Sequence, residues 1–159
     1  VGTGADAVVA TLPANDPVVR VVRNARVDDG HLSSLLVGLD VVERECPDAP
    51  GTLMTLVDLP LIAPHTVRSV IEAVERSPAS PLVRPTRGDR FGHPVYFGRA
   101  LFPEFRAADP SLGAKPVVRA HASEQRTVPI DDDGAFADVD TPEDYERLIR
   151  PTLGAGPTA

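Results

Sequence analysis

The sequence has no tryptophan and a single cysteine, and aromatic residues make up only 4% of it. With so few aromatic faces it offers no stacking platform for single-stranded nucleic acid. Cys46 has no second cysteine to pair with, which excludes an internal disulfide and makes a reducing cytoplasm the expected location. No apolar run approaches the ~20 residues of a membrane-spanning helix, and no secretory signal is recognised, so a membrane is not an expected partner. No Lys/Arg cluster stands out and the net charge is −7, which argues against a nucleic-acid backbone as partner. That balance still admits a nucleotide, because carboxylates can hold a divalent metal that in turn holds a polyphosphate.

What is present suits one soluble globular domain: 159 residues, 42% of them apolar and 25% charged. The 17 prolines stand mostly where elements begin or end. Val18–Arg23 is short and β-branched, and predicts a strand. After a turn at Asp28-Asp29-Gly30, Leu32, Leu35, Leu36, Leu39 and Val42 recur at helical spacing. Thr52–Val57 predicts a second strand, apolar as in a sheet covered on both faces. Pro64 fits the first turn of a helix carrying Val67, Val70, Ile71 and Val74. Strands at Leu82–Pro85 and His93–Phe97 flank the polar loop 87–92, with an antiparallel pairing near 83 and 95. Helical patches at Leu101–Ala107 and Gly113–Ala122, a strand at Thr127–Ile130 and a helix from Pro142 to about Ile149 complete the pattern. The alternation predicts an α/β domain with a mainly parallel sheet sandwiched by helices. It spans 1–150, with 151–159 as a disordered C-terminal tail.

One carboxylate stands out: Asp58 interrupts the apolar run LVDLPLIAP, residues 56–64. A buried, unpaired carboxylate costs several kcal/mol, so Asp58 either caps the turn before the helix at Pro64 or holds a cation. In α/β sheets ligands bind beyond the carboxyl ends of the strands, where Asp58 lies. A second acidic group is Asp138-Val139-Asp140-Thr141-Pro142-Glu143-Asp144. Thr141, Pro142 and Asp144 form a helix-start signature, which accounts for Asp144 by capping. Asp138 and Asp140, two apart in extended chain, point to one side. Two carboxylates from distant strands would suit Mg²⁺, which commonly takes one or two of them with waters and substrate phosphates. The alternative for Asp140 is a solvated loop acid.

Several motifs in order carry a family resemblance: Asn24, then DDGHLSSLLVGL (28–39), DLP (58–60), GHPVYF (92–97), LGAK (112–115) and DVDTPEDY (138–145). Together they resemble the molybdenum cofactor cytidylyltransferases, within the nucleotidyltransferases of GT-A-like, Rossmann-type fold. The resemblance implies that Asp58 and Asp140 are catalytic ligands of Mg²⁺, with Asp138 a neighbouring one. It puts Asn24, Gly30, Ser33 and Ser34 on the nucleotide side, Pro60 in the substrate-facing motif, and Gly92-His93-Pro94 where the second substrate enters. Lys115 takes the place of the family's more usual arginine, either facing phosphate without the bidentate fork or standing as an exposed lysine at a helix start. The reaction implied is attack by a terminal phosphate of the molybdopterin-type cofactor on the α-phosphate of CTP, with loss of pyrophosphate. Alignment and charge neutralisation suffice for it.

The front of the chain departs from the pattern. The family's first strand, glycine-rich loop and helix find no counterpart, and Val1–Ala7 aligns with a later turn. The expectation is an N-terminally truncated domain that catalyses poorly alone. The rival activity is a related GTP- or sugar-phosphate-directed transferase. The rival without catalysis is a docking remnant of the same fold, with a molybdenum hydroxylase as partner. Ser33 and Ser34 also suit simple N-terminal capping, His93 a structural hydrogen bond, and Asp131-Asp132-Asp133-Gly134 a solvated turn.

Overall fold

The computed structural model describes residues 4–12, 16 and 18–148, so the expected tail at 151–159 lies outside the described residues. The chain divides into two compact units, Val1–Thr52 with Gly98–Ser123 and Leu53–Phe97 with Glu124–Ala159.

The first unit is helical: α1 (Ala5–Thr11), α2 (His31–Glu45), α4 (Phe102–Ala107) and α5 (Lys115–Ala120). Gly30 precedes α2 at φ 87°, a left-handed conformation that glycine adopts without cost to a side chain. Leu32 and Leu39 of α2, with Leu101, Phe102 and Phe105 about α4, are almost fully buried. Arg106 donates to Asp40 and Glu43 of α2, at 2.6 Å each, and so ties α4 to it. The strand expected at Val18–Arg23 is not formed: Val18, Val19 and Val21 are exposed and no ladder is assigned there among the described residues. β-branched composition measures fit to a neighbouring strand, and supplies none by itself. Helix α1 was not expected from the sequence.

The second unit holds α3 (Pro64–Arg76), β2 (Leu82–Arg87), β3 (Arg90–Phe91), β5 (Arg126–Pro129) and α6 (Pro142–Leu148). It also takes Leu53-Met54, half of β1 (Gly51–Met54), and Val95–Phe97 of β4 (Val95–Gly98), while Gly51-Thr52 and Gly98 are counted with the first unit. The sheet order is β1-β4-β2-β3, and β5 pairs with β2. The β2–β5 ladder is parallel, from Val83 opposite Arg126 to Thr86 opposite Pro129. The expected antiparallel piece is there, with Val83 opposite Tyr96. Strand β3 lies in the expected loop: Phe91 pairs with Thr86, and the Arg84 guanidinium stacks 3.5 Å from the Phe91 ring centre. Val70 and Ala73 of α3 pack against Val83 and Tyr96, with Leu53 and Val128 at the margin. These are the apolar positions that helical and strand spacing place on one face.

Two boundaries differ from expectation in ways that shape the site. Strand β1 ends at Met54 rather than Val57; Leu56 is partly exposed and Val57 is 97% exposed. The run 56–64 is thus mainly a loop rather than a core strand, and Asp58 rides on it. Strand β4 begins at Val95 rather than His93, after a cis His93–Pro94 peptide.

Candidate functional site

Three segments of the second unit are bound to one another: the loop Thr55–Ala63, the stretch Gly92-His93-Pro94, and the chain leaving β5 from Asp131 to Asp140. The Val139 N–H donates to the Asp58 carbonyl at 2.8 Å, so Asp138 and Asp140 flank the residue that touches Asp58. The His93 N–H donates to the Ala135 carbonyl at 2.9 Å, and the Gly92 N–H to the Pro85 carbonyl at 2.9 Å. A Cβ at Gly92 would lie 2.5 Å from the Ala135 oxygen, and one at Gly134 only 2.0 Å from the Leu61 oxygen. Glycine is what lets these backbones approach so closely.

Asp58 itself is partly buried, and its Oδ1 is the one fully buried side-chain oxygen or nitrogen without a hydrogen-bond partner among the described residues. Such an atom is costly unless something outside the protein meets it. Capping does not account for it, because the start of α3 is served by a different carboxylate. Asp132 Oδ2 accepts the Ala63 N–H at 2.9 Å and the Thr66 hydroxyl at 2.5 Å, while Oδ1 accepts the Gly134 N–H at 3.0 Å. The expected solvated turn at 131–134 is therefore corrected at its middle residue. Asp131 and Asp133 are exposed and reach Arg87. Asp132 lies on extended backbone, so its side chain points the opposite way, inward. Burial raises the Asp132 pKa, but the bonds from Thr66, Ala63 and Gly134 outweigh it, and the carboxyl titrates below its ordinary value. One feature of the sequence could have shown this. Ala63, just before Pro64, has no side-chain oxygen to cap the helix.

His93 is half-buried, with Nδ1 3.4 Å from the Met54 carbonyl. Burial pushes its pKa below the ordinary histidine value, against the opposing pull of that carbonyl and of the Asp58 charge, which acts on it. Pro94 and Pro60 line a shared hollow of about 240 Å³ with Leu53, Leu59, Ile62 and Val67. Asp138 and Asp140 are exposed. Thr141 and Asp144 form the expected reciprocal cap: Asp144 Oδ2 accepts the Thr141 N–H at 3.0 Å, and Thr141 Oγ1 accepts the Asp144 N–H at 3.1 Å.

In the first unit, Asn24 is 7% exposed and donates from Nδ2 to Ser33 Oγ at 2.7 Å and to Ser34 Oγ at 3.0 Å. The Ser33 hydroxyl in turn donates to the Gly30 carbonyl at 2.7 Å. Four expected nucleotide-side residues thus form one network, and Asn24 and Ser34 line a hollow of about 350 Å³ with Val37 and Val41. Lys115 is exposed at the first position of α5. Among the described residues no three His, Cys, Asp or Glu side chains converge into a ready-made metal cluster, so water or phosphate would have to complete any coordination at Asp58.

Curated proteins yield no match to this sequence. Among solved structures, Rv0371c from Mycobacterium tuberculosis superposes with a TM-score of 0.74 at 32% identity, covering 94% of this chain and 73% of that one. The same protein in complex with manganese gives a TM-score of 0.68, again at 32% identity, over 94% and 74% of the two chains. Molybdopterin-guanine dinucleotide biosynthesis protein A from Archaeoglobus fulgidus gives 0.63 at 12% identity, over 94% and 74%, a likeness of fold alone. The MobA-like NTP transferase domain matches residues 1–126. Together with the relatives at 32% identity, that match makes this chain a member of the MobA-like NTP transferase family.

Proposed function

We propose that this domain transfers a nucleoside monophosphate, CMP from CTP, to a phosphorylated acceptor of the molybdenum-pterin type, with a divalent cation, Mg²⁺, held by Asp58 and Asp140 and assisted by Asp138. The observation that carries the proposal is the buried Asp58 Oδ1, which has no partner among the described residues and does no capping. The backbone bond from Val139 to Asp58 supports a site shared with the flanking acids, and a related structure was solved with manganese. A bound cation supplies charge neutralisation for the triphosphate and leaving pyrophosphate. The chain's own residues do the rest. Asp58 and Asp140 anchor the charge, Asn24, Gly30, Ser33 and Ser34 face the nucleotide, and Gly92-His93-Pro94 with Pro60 receive the acceptor. Lys115 adds positive charge toward phosphate. Family membership supports the reaction class, while the choice of CTP and of the acceptor rests on the motif resemblance.

The test is competition binding on the chain with Mn²⁺ present, using a fluorescent CTP analogue displaced by CTP or GTP. The proposal expects CTP to displace it at lower concentration than GTP, and Asp58→Ala to weaken binding about 10-fold or more, the scale on which metal sites respond to their ligands. Preference for GTP would favour the related guanylyl-type reading. Binding unaffected by Asp58→Ala would remove the cation site.

A further inference from the structure

We propose that Asp132 is a positioning residue for the Asp58 cation site: its carboxylate locks the loop that carries Asp58 to the chain that carries Asp138 and Asp140. The inference rests on the cation-binding reading of Asp58 and goes beyond it, because Asp132 is not itself offered as a ligand. Its three bonds are all spent inside the protein. Two go to Ala63 and Thr66, at the start of α3, and one to Gly134.

The geometry makes this a clamp with two jaws. Loop 55–63 leaves β1 at one end and enters α3 at the other, and Asp58 lies in between. Asp132 holds the α3 end through the Ala63 N–H. The Thr66 hydroxyl, in a residue that is fully buried, adds a second hold one turn on. Gly134, whose N–H the same carboxylate accepts, lies directly against the Leu61 carbonyl. Past Gly134 the chain gives its Ala135 carbonyl to His93 and its Val139 N–H to Asp58. Every segment of the second-unit site is therefore linked through a residue within a few positions of Asp132. Carboxylate bonds to backbone N–H and hydroxyl donors are the stronger, charge-assisted kind, and a helix N-terminus favours the negative charge. Partners that orient metal ligands without touching the metal commonly set metal affinity.

The experiment is Mn²⁺ binding followed by electron paramagnetic resonance, on the wild-type chain, Asp58→Ala, Asp132→Ala, Asp132→Asn, Thr66→Val and the Asp58→Ala/Asp132→Ala double variant. Circular dichroism confirms which variants are folded. The expected result is a Kd raised about 10-fold or more in Asp132→Ala. Asp132→Asn, which keeps an acceptor for Ala63 and Thr66, should recover part of the loss, and Thr66→Val should show a smaller one. The double variant should bind no more weakly than Asp58→Ala alone, since Asp132 acts through Asp58. A merely structural role would leave the Kd of every folded variant at the wild-type value, and that result overturns the proposal. Should Asp132→Ala fail to fold, Asp132→Asn and Thr66→Val decide the same question. Wild-type binding by Asp58→Ala sinks the cation reading and this inference with it; loss there with retention in the Asp132 and Thr66 variants sinks this inference alone.

Discussion

Asp58, next to the proline-marked start of α3, leaves that helix alone, and Asp132, inside a run of acids, caps it. A carboxylate oxygen buried without a hydrogen-bond partner, as Asp58 Oδ1 is among the described residues, costs stability in the metal-free chain. Asp58→Asn is accordingly expected to leave the metal-free melting temperature unchanged or raise it, whereas Asp132→Ala should lower stability by about 1–2 kcal/mol through the lost cap. Urea denaturation of both variants checks the pair. Gly134→Ala belongs at the same scale. With the new Cβ 2.0 Å from the Leu61 oxygen, backbone must move, and a loss of about 1–3 kcal/mol is expected. His93 contributes a pH dependence whose sign is fixed by its depressed pKa. The unfolded chain binds the proton more readily, so stability rises with pH across this window. As pH falls through the ordinary histidine value of 6.5 toward the lower folded value, stability should drop. His93→Gln should flatten that decline in a series of urea melts between about pH 7 and pH 5.

At the scale of elements, burial rather than charge holds the pieces. Phe102 of α4 is 0% exposed, and Phe102→Ala is expected to cost about 3–5 kcal/mol. Arg106 on the same helix pairs with Asp40 and Glu43, but the Asp40 side chain is well exposed and those of Arg106 and Glu43 are each about a third exposed. Arg106→Ala should therefore cost under about 1 kcal/mol despite its two close contacts. Chemical denaturation of the two variants side by side tests the ranking. The same distinction explains which elements were legible in the sequence. Helices α2 and α3 were, because their apolar residues repeat at the helical period, and so was the cap of α6, because Thr141 and Asp144 are three residues apart. Val18–Arg23 was misleading, since strand formation needs a neighbour that local composition does not reveal. Strand β3 was hidden in a polar loop because it is only Arg90–Phe91, paired across a tight turn. Asp132 was illegible for the plainest reason: the residues it caps are 66 and 69 positions away.

At the scale of the whole molecule, the charge balance sets the response to acid. Asp132, Asp144, Asp109 and Glu45 all titrate below their ordinary values. Burial opposes the shift most strongly at Asp132, where the Thr66 hydroxyl leads the bonds that prevail; the leading causes elsewhere are Thr141, Ser111 and Arg44 respectively. Depressed carboxyl pKa values give stability that is present above the unfolded values of 3.8 and 4.5 and lost as pH falls through the folded ones. That acid loss is separate from the histidine window above it. No described helix is long and apolar enough to cross a membrane. The motifs DLP, GHP and DVDTPED, far apart in sequence, fall on three segments that backbone bonds join in one unit. The Asn24–Ser33–Ser34 network forms in the other. The central claim, that Asp58 is reserved for a divalent cation, is met most directly by titrating Mn²⁺ into the wild-type chain and into Asp58→Asn while following the melting temperature. The account predicts that Mn²⁺ raises the wild-type melting temperature, that Asp58→Asn loses most of that rise, and that the metal-free variant is at least as stable as the wild type. An equal Mn²⁺ response in both chains, or a metal-free Asp58→Asn that is markedly less stable, would contradict it.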